Sequence, residues 1–338
     1  MKKLKILGIQ FKYLGDAVVA TPVLRAIKTH FVGSELHVLV SEATVPLLEH
    51  IEWIDRVWSI PRKRDHASLI RTWPVIRKLR KERFDVTIDL AGNDRGAILS
   101  RIIGGRRRIG PMAPKGFFLR RHCYNEPVEE MDTNRHETVR TWAISSVLGV
   151  PFPEDPTVGI GVNHALIDRA RTLLDGIELM CCISATQPKR EWPLKNWARF
   201  YEMTQKHEIK MAFTVGKGVR EYGLLKQIRG LCPEMPLLES IEPLDLFLAV
   251  LNQLRGFISP DTGPLHFAAA LGVPTISIFG PTEGRRWAPL GKQHQYLQGG
   301  LCPCSGHADE CSHRHHCITD VTPEDLYNAF LAMIGHWS

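Results

Sequence analysis

Residues 259–282 read SPDTGPLHFAAALGVPTISIFGPT. A strand ends at Ser259-Pro260, a tight turn follows, and Pro264 opens a helix carrying His266 in its first turn. Ala268, Ala269, Ala270 and Gly272 give that helix a small face suited to close packing on a sheet. Thr275 to Phe279 is then an apolar run of strand length, closed by the turn Gly280-Pro281-Thr282. Strand, helix and strand in such short order form a βαβ unit of a parallel sheet. Two turns at the carboxyl ends of neighbouring strands, with backbone N–H groups free at helix starts, suit a diphosphate. Asp261, Thr262 and His266 project from the first turn, and Gly280 and Thr282 belong to the second. The plain alternative is an ordinary α/β turn with Asp261 as a helix cap.

The same alternation runs outward in both directions. Strand-like runs fall at residues 4–10, 36–40, 57–60 and 84–90, then again at 179–184, 210–215 and 256–259. Helical patterns fall at 18–30, at 74–81 (opened by Pro74) and around 98–103, and later at 165–174, 195–207, 219–230 and 244–254. A closing helix at 322–335 has Thr322 as its cap and Pro323 at its first position. Residues 106–132, rich in Pro, Gly and Arg, read as irregular loops facing a cleft. The stretch 149–161, GVPFPEDPTVGIG, breaks the pattern and reads as a linker. The expectation is an α/β chain of two similar domains, 1–155 and 156–338, with the last helix free to pack back on the first.

Length and composition agree. A chain of 338 residues that is 44% hydrophobic is large enough for two buried cores. No apolar run approaches the roughly 20 residues of a membrane span, and Lys5 and Lys12 cut the first one too short for a signal peptide. The expected location is cytoplasmic. Residues 1–150 hold 26 Lys/Arg against 16 Asp/Glu, whereas 151–338 hold 17 against 20. The basic surplus belongs to the first half, so the anionic partner should meet that half.

Two further motifs join the first. Gly15-Asp16-Ala17-Val18-Val19-Ala20-Thr21-Pro22 lies near the start, and Lys189-Arg190-Glu191-Trp192-Pro193-Leu194-Lys195-Asn196-Trp197 lies between them. Residues 259–282 resemble the signature of the family 9 glycosyltransferases, the ADP-heptose:lipopolysaccharide heptosyltransferases. The early motif resembles that family's G-D-x-x-x-x-T-P element, and the middle one its basic-x-W-P-x-x-x-W stretch. The resemblance implies a GT-B architecture of two Rossmann-like domains facing a central cleft, with acceptor on the first and ADP-sugar on the second. It also implies an inverting transfer with no catalytic metal or other cofactor. Carried over, Asp16 is the general base and Arg190 holds the donor diphosphate, at a position where lysine is common. Asp261, Thr262, Gly263 and His266 line the phosphates and nucleotide, and Glu221 meets the ribose or base, although GKGVRE matches the family stretch only loosely.

Each assignment has a structural counterpart. Asp16 can cap the next helix, Arg190 can be a surface charge, Trp192 and Trp197 can be core, Glu221 can favour a helix dipole, and His266 can be a core histidine. Arg120 and Arg121, in the loop-rich segment, are the acceptor candidates, for an anionic glycolipid; with that acceptor the resemblance implies peripheral contact at the inner membrane face. The basic runs lack interleaved aromatics, which argues against nucleic acid. Cys302, Cys304, Cys311 and Cys317 form C-P-C-x6-C-x5-C. They are candidate ligands of a structural zinc or iron, with a reduced metal-free cluster or disulfides as the alternatives. A protein-modifying branch of the resembled family carries a four-cysteine iron site, whereas other members hold no metal. A heptosyltransferase acting on a lipopolysaccharide core is the expected function. A protein-modifying heptosyltransferase and a non-catalytic basic module for nucleic acid or membrane are the alternatives.

Overall fold

The computed structural model describes residues 3–62, 66–112, 116–129, 135–300 and 317–337. The chain divides into two compact units, Met1–Gly161 and Val162–Ser338. In the first, the strands are β1 (Lys5–Ile9), β2 (Glu35–Ser41), β3 (Arg56–Ile60), β4 (Val86–Asp89), β5 (Arg107–Pro111) and β6 (Glu126–Val128). Its helices are α1 (Leu14–Val19), α2 (Thr21–His30), α3 (Val45–Leu48), α4 (His66–Glu82), α5 (Asp94–Ile103) and α6 (Glu137–Ser146). The strands are all parallel, in the order β3-β2-β1-β4-β5-β6.

The second unit repeats the plan. Its strands are β7 (Leu179–Cys182), β8 (Met211–Thr214), β9 (Leu237–Leu238), β10 (Gly256–Pro260), β11 (Thr275–Phe279) and β12 (His294–Gln298). Its helices are α7 (Ile167–Leu174), α8 (Leu194–Thr204), α9 (Val219–Leu231), α10 (Leu244–Leu251), α11 (Gly263–Ala270), α12 (Gly284–Trp287) and α13 (Pro323–Ile334). The sheet order is β12-β11-β10-β7-β8-β9, again parallel, so both units follow the 3-2-1-4-5-6 order of a Rossmann sheet. The order reverses between β1 and β4 in one unit and between β7 and β10 in the other. At such points the loops beyond the carboxyl ends diverge and leave a crevice.

Local chemistry explains where the elements depart from the sequence expectation. The helix expected over 18–30 is two helices. Pro22 has no N–H for the Val18 carbonyl, which the Thr21 hydroxyl takes instead at 2.7 Å. The Gly15-Asp16 pair lies inside the first turn of α1 rather than in a preceding loop. Pro74 does not open its helix but sits inside α4. The segment expected to be irregular supplies β5 and β6, tied together where Arg107 grips Glu126 through two bonds of 2.7 and 2.6 Å.

The closing helix α13 packs on α8 and on the edge of the second sheet, held by the Thr322–Asp325 capping box. Leu326 and Phe330 enter the core of the second unit, and Trp192 Nε1 donates to the Val321 carbonyl at 2.8 Å. Trp192 and Trp197 are core residues, edge to face at 5.1 Å.

Candidate active site

In the first unit, the crevice of the strand reversal lies beyond the ends of β1 and β4. Asp16 follows β1 with its side chain 12% exposed. Its carboxylate lies 3.6 Å from Lys12 Nζ, which also approaches Glu137 at 3.5 Å, and Glu137 in turn accepts from Arg140 at 2.6 Å. Burial pushes the Asp16 carboxyl above its ordinary value; Lys12 pulls it down, and the Glu137 charge adds to the rise. Asp16 is not the helix cap: Tyr13 holds that position without a side-chain bond. The Tyr13 backbone N–H nevertheless favours the Asp16 carboxylate, which therefore serves the helix start as well as facing the crevice. No motif in the sequence pointed to Lys12, Glu137 and Arg140 as its neighbours, since Glu137 and Arg140 come from the distant α6.

Asp89, the last residue of β4, is fully buried. It accepts from the Ala91 and Gly92 N–H groups at 3.0 and 3.1 Å and from the Tyr124 hydroxyl at 2.6 Å. Burial raises its carboxyl to about 6 in spite of those donors and of the nearby Arg120 charge. A carboxylate closing the strand FDVTID, at a strand reversal, was the signal that could have marked it.

The structure separates the two arginines proposed for the acceptor. Arg120 is 6% exposed and lies 3.7 Å from Asp94, so it belongs to the interior network around Asp89 and Tyr124. Arg121, beside it in the 3-10 turn Arg120–Cys123, is exposed.

In the second unit the matching crevice lies beyond β7 and β10. Arg190 follows β7, Asp261 follows β10 and Thr282 follows β11, and the three meet. Arg190 Nη1 is 3.0 Å from Asp261 Oδ2, to which the Thr282 hydroxyl donates at 2.6 Å. Asp261 thereby fixes a guanidinium rather than capping a helix, and Arg190 is no free surface charge. Its Nε is buried without a hydrogen-bond partner among the described residues, a donor left over for an anion. Thr262 is the cap residue of α11 with extended backbone, and its side chain makes no capping bond, so it leaves the positive end of the helix uncapped. Gly263 opens α11, and a Cβ there would meet only the Phe267 ring, at 3.4 Å. His266 is buried within α11.

The other residues are placed less directly. Gly280 is required by packing, because a Cβ there would lie 2.5 Å from that of Ile318. Glu221, in the first turn of α9, accepts from Arg220 at 3.0 Å and folds over Gly218. Arg220 also binds Glu191 at 2.7 Å and the Ala185 carbonyl at 2.6 Å, which ties α9 to the loop after β7. Lys189, next to Arg190 in the same motif, is buried. Of the four clustered cysteines, Cys302, Cys304 and Cys311 fall outside the described residues, and Cys317 opens a 3-10 turn before α13.

Comparison with known proteins agrees with this architecture. Residues 72–315 match the family described as glycosyltransferase family 9 (heptosyltransferase). The lipopolysaccharide heptosyltransferase 1 of Campylobacter coli is 24% identical, over 98% of this chain and 99% of its own. The fold matches that of a family 9 glycosyltransferase from Veillonella parvula, with a TM-score of 0.86, 19% identity and 99% of both chains covered. It also matches E. coli heptosyltransferase WaaC with ADP, with a TM-score of 0.76, 18% identity, and 98% of this chain and 100% of that one covered. With two Rossmann units of the GT-B class and a family match over most of its length, this chain belongs to glycosyltransferase family 9.

Proposed function

We propose that the protein transfers a heptose from an ADP-heptose donor to an anionic lipopolysaccharide-core acceptor, with inversion at the anomeric carbon. The observation that carries this reading is Asp16: a buried carboxylate of raised pKa after β1, set beside Lys12 at the strand reversal. In this reading Asp16 takes the proton of the acceptor hydroxyl as that oxygen attacks the anomeric carbon. The bond from that carbon to the diphosphate oxygen breaks, and ADP leaves. Arg190, fixed by Asp261, and the uncapped start of α11 stabilise the charge that develops on the diphosphate. The chemistry rests on these side chains and calls on no cofactor. Similarity to the Campylobacter coli heptosyltransferase and to WaaC with ADP supports the choice of donor and acceptor.

The test is Asp16→Asn. Asparagine retains the shape but is a very poor base, so turnover should fall about 10²–10⁴-fold. ADP affinity, read by calorimetry, should stay unchanged. Near-normal turnover would leave Asp16 a residue of the helix start and remove the base. The anomeric configuration of the product, read by NMR, tests inversion.

A further inference from the structure

We propose that one face of the first unit, built from α4, α5 and residues 117–122, docks on the surface of an anionic lipid bilayer. The face begins with the helix periodicity of α4. Thr72, Ile76 and Leu79 are buried on one side. Ile70, Trp73, Arg77, Arg80 and Lys81, spaced three and four apart, form a stripe on the other. Ile70 is 61% exposed and Trp73 56%, and both precede the basic residues along the helix.

The neighbouring elements extend this pattern. Ile98 on α5 is 43% exposed, and Phe118 and Leu119 are 87% and 47% exposed. A shallow apolar depression of about 270 Å³ is lined by Ile98, Ile102, Phe117 and Leu119, with Arg101 and His122 among its walls. A second, open depression of about 540 Å³ is lined by Arg77, Arg80, Lys81 and Arg83. Arg80 joins the two, donating to the Ile102 carbonyl at 2.8 Å. The carboxylate at the end of α4, Glu82, pairs instead with Lys5 at 2.6 Å and Arg56 at 3.4 Å. Large apolar side chains in water, bordered by cations, thus occupy one continuous face.

The bilayer interface is the occupant that matches this chemistry. Tryptophan and phenylalanine settle at headgroup depth, aliphatic tips enter the acyl boundary, and Lys and Arg meet anionic headgroups. Nucleic acid fits worse: Trp73 and Phe118 offer stacking faces, but Ile70, Ile98 and Leu119 beside them give bases and phosphates nothing to bind. The geometry also gives docking a consequence. Since α4 runs from the carboxyl end of β3 back to the start of β4, its apolar half lies toward the carboxyl edge of the sheet, the edge that Asp16 occupies. A lipid-anchored acceptor held in that bilayer would approach from the Asp16 side. This last link alone rests on the transferase reading.

Cosedimentation of the full chain with vesicles tests the docking without any acceptor. The chain should bind phosphatidylcholine–phosphatidylglycerol vesicles about tenfold or more tightly than phosphatidylcholine alone, and lose that preference at high salt. Trp73→Ala with Phe118→Ala, and separately Arg77→Glu with Lys81→Glu, should each weaken binding roughly tenfold. Thermal melting checks that each variant is folded. Phe118→Ser, at the most exposed of these positions, is the fallback if a double variant melts early. Unchanged vesicle binding by folded variants would overturn the proposal. So would equal binding to both vesicle types, or displacement of the chain from vesicles by a DNA duplex. Vesicle binding by a chain that transfers no sugar would instead fault the transferase reading.

Discussion

Asp16 is held between two opposing influences, and both can be changed. Burial raises its pKa, Lys12 lowers it and Glu137 raises it. If Asp16 is the proposed base it must be ionised, so kcat/KM should rise with pH along a limb displaced upward from that of an ordinary aspartate. Lys12→Met removes the favourable charge and should move that limb to higher pH, whereas Glu137→Gln should move it lower. Shifts in the same direction would show that the limb belongs to another group. Asp89 carries a similar signature into stability. Its folded pKa, about 6, stands above the ordinary 3.8, so its contribution is fully present below pH 4 and is lost as pH rises through 6. The loss is about 3 kcal/mol at most, since a tenfold difference in proton affinity between folded and unfolded chain is worth about 1.4 kcal/mol. Asn can still accept from the Ala91 and Gly92 N–H groups and can donate to the Tyr124 oxygen. As pH rises from about 4 to 6, the melting temperature of the parent should therefore fall relative to that of Asp89→Asn. The same pH trend in both would show that Asp89 is not the source. Neither residue's environment was legible in the sequence: Lys12 is close to Asp16 along the chain, but its burial and Glu137 come from the fold, and Arg120 and Tyr124 reach Asp89 from the turn before β6.

At the scale of elements, the two turns of residues 259–282 use glycine for different reasons. A side chain at Gly280 would run into Ile318, whereas one at Gly263 would meet only the Phe267 ring. Gly280→Ala should therefore cost about 1–3 kcal/mol of stability through overpacking. Gly263→Ala should melt near the parent temperature but weaken ADP binding roughly tenfold or more, because the helix start is where a phosphate comes closest to backbone. Calorimetry on both variants reads the two effects. Strong ADP binding by Gly263→Ala would move the diphosphate away from α11. The motif announced both glycines equally, and only the path of residues 317–320 tells them apart. Proline was equally ambiguous at this scale: Pro22 breaks a helix, and Pro74 stands inside one. Their flanking residues do not distinguish the cases, because a helix tolerates the missing bond only where packing such as that of Ile76 and Leu79 holds it together.

For the whole molecule, the βαβ rhythm and the three motifs were enough to foresee two parallel α/β units, because such strands are short apolar runs with few imitators. The strands β5, β6, β9 and β12 leave no clear signal in the sequence, being edge or near-edge strands of mixed, charged or very short sequence. The charge asymmetry is also a property of the whole chain, and it yields a test of which unit meets the acceptor. The first 150 residues carry ten more basic than acidic groups, and Arg121 stands exposed among them. Exposed charges are screened as the Debye length shrinks from about 10 Å at 0.1 M salt to about 3 Å at 1 M. Arg190 is held against Asp261 with its side chain 28% exposed, where salt screens less. Raising salt should therefore increase the KM of a lipid-free, phosphorylated acceptor more steeply than that of the ADP-sugar. Arg121→Glu should raise the acceptor KM severalfold at low salt, converge on the parent at high salt, and leave ADP affinity alone. Arg120 is unsuited to this test, because its buried charge compensates Asp94 and Asp89, and reversing it would unfold the loop. If the donor KM rose with salt as steeply as the acceptor KM, the basic first unit would not be the acceptor's place, and the division of labour between the units would have to be reversed.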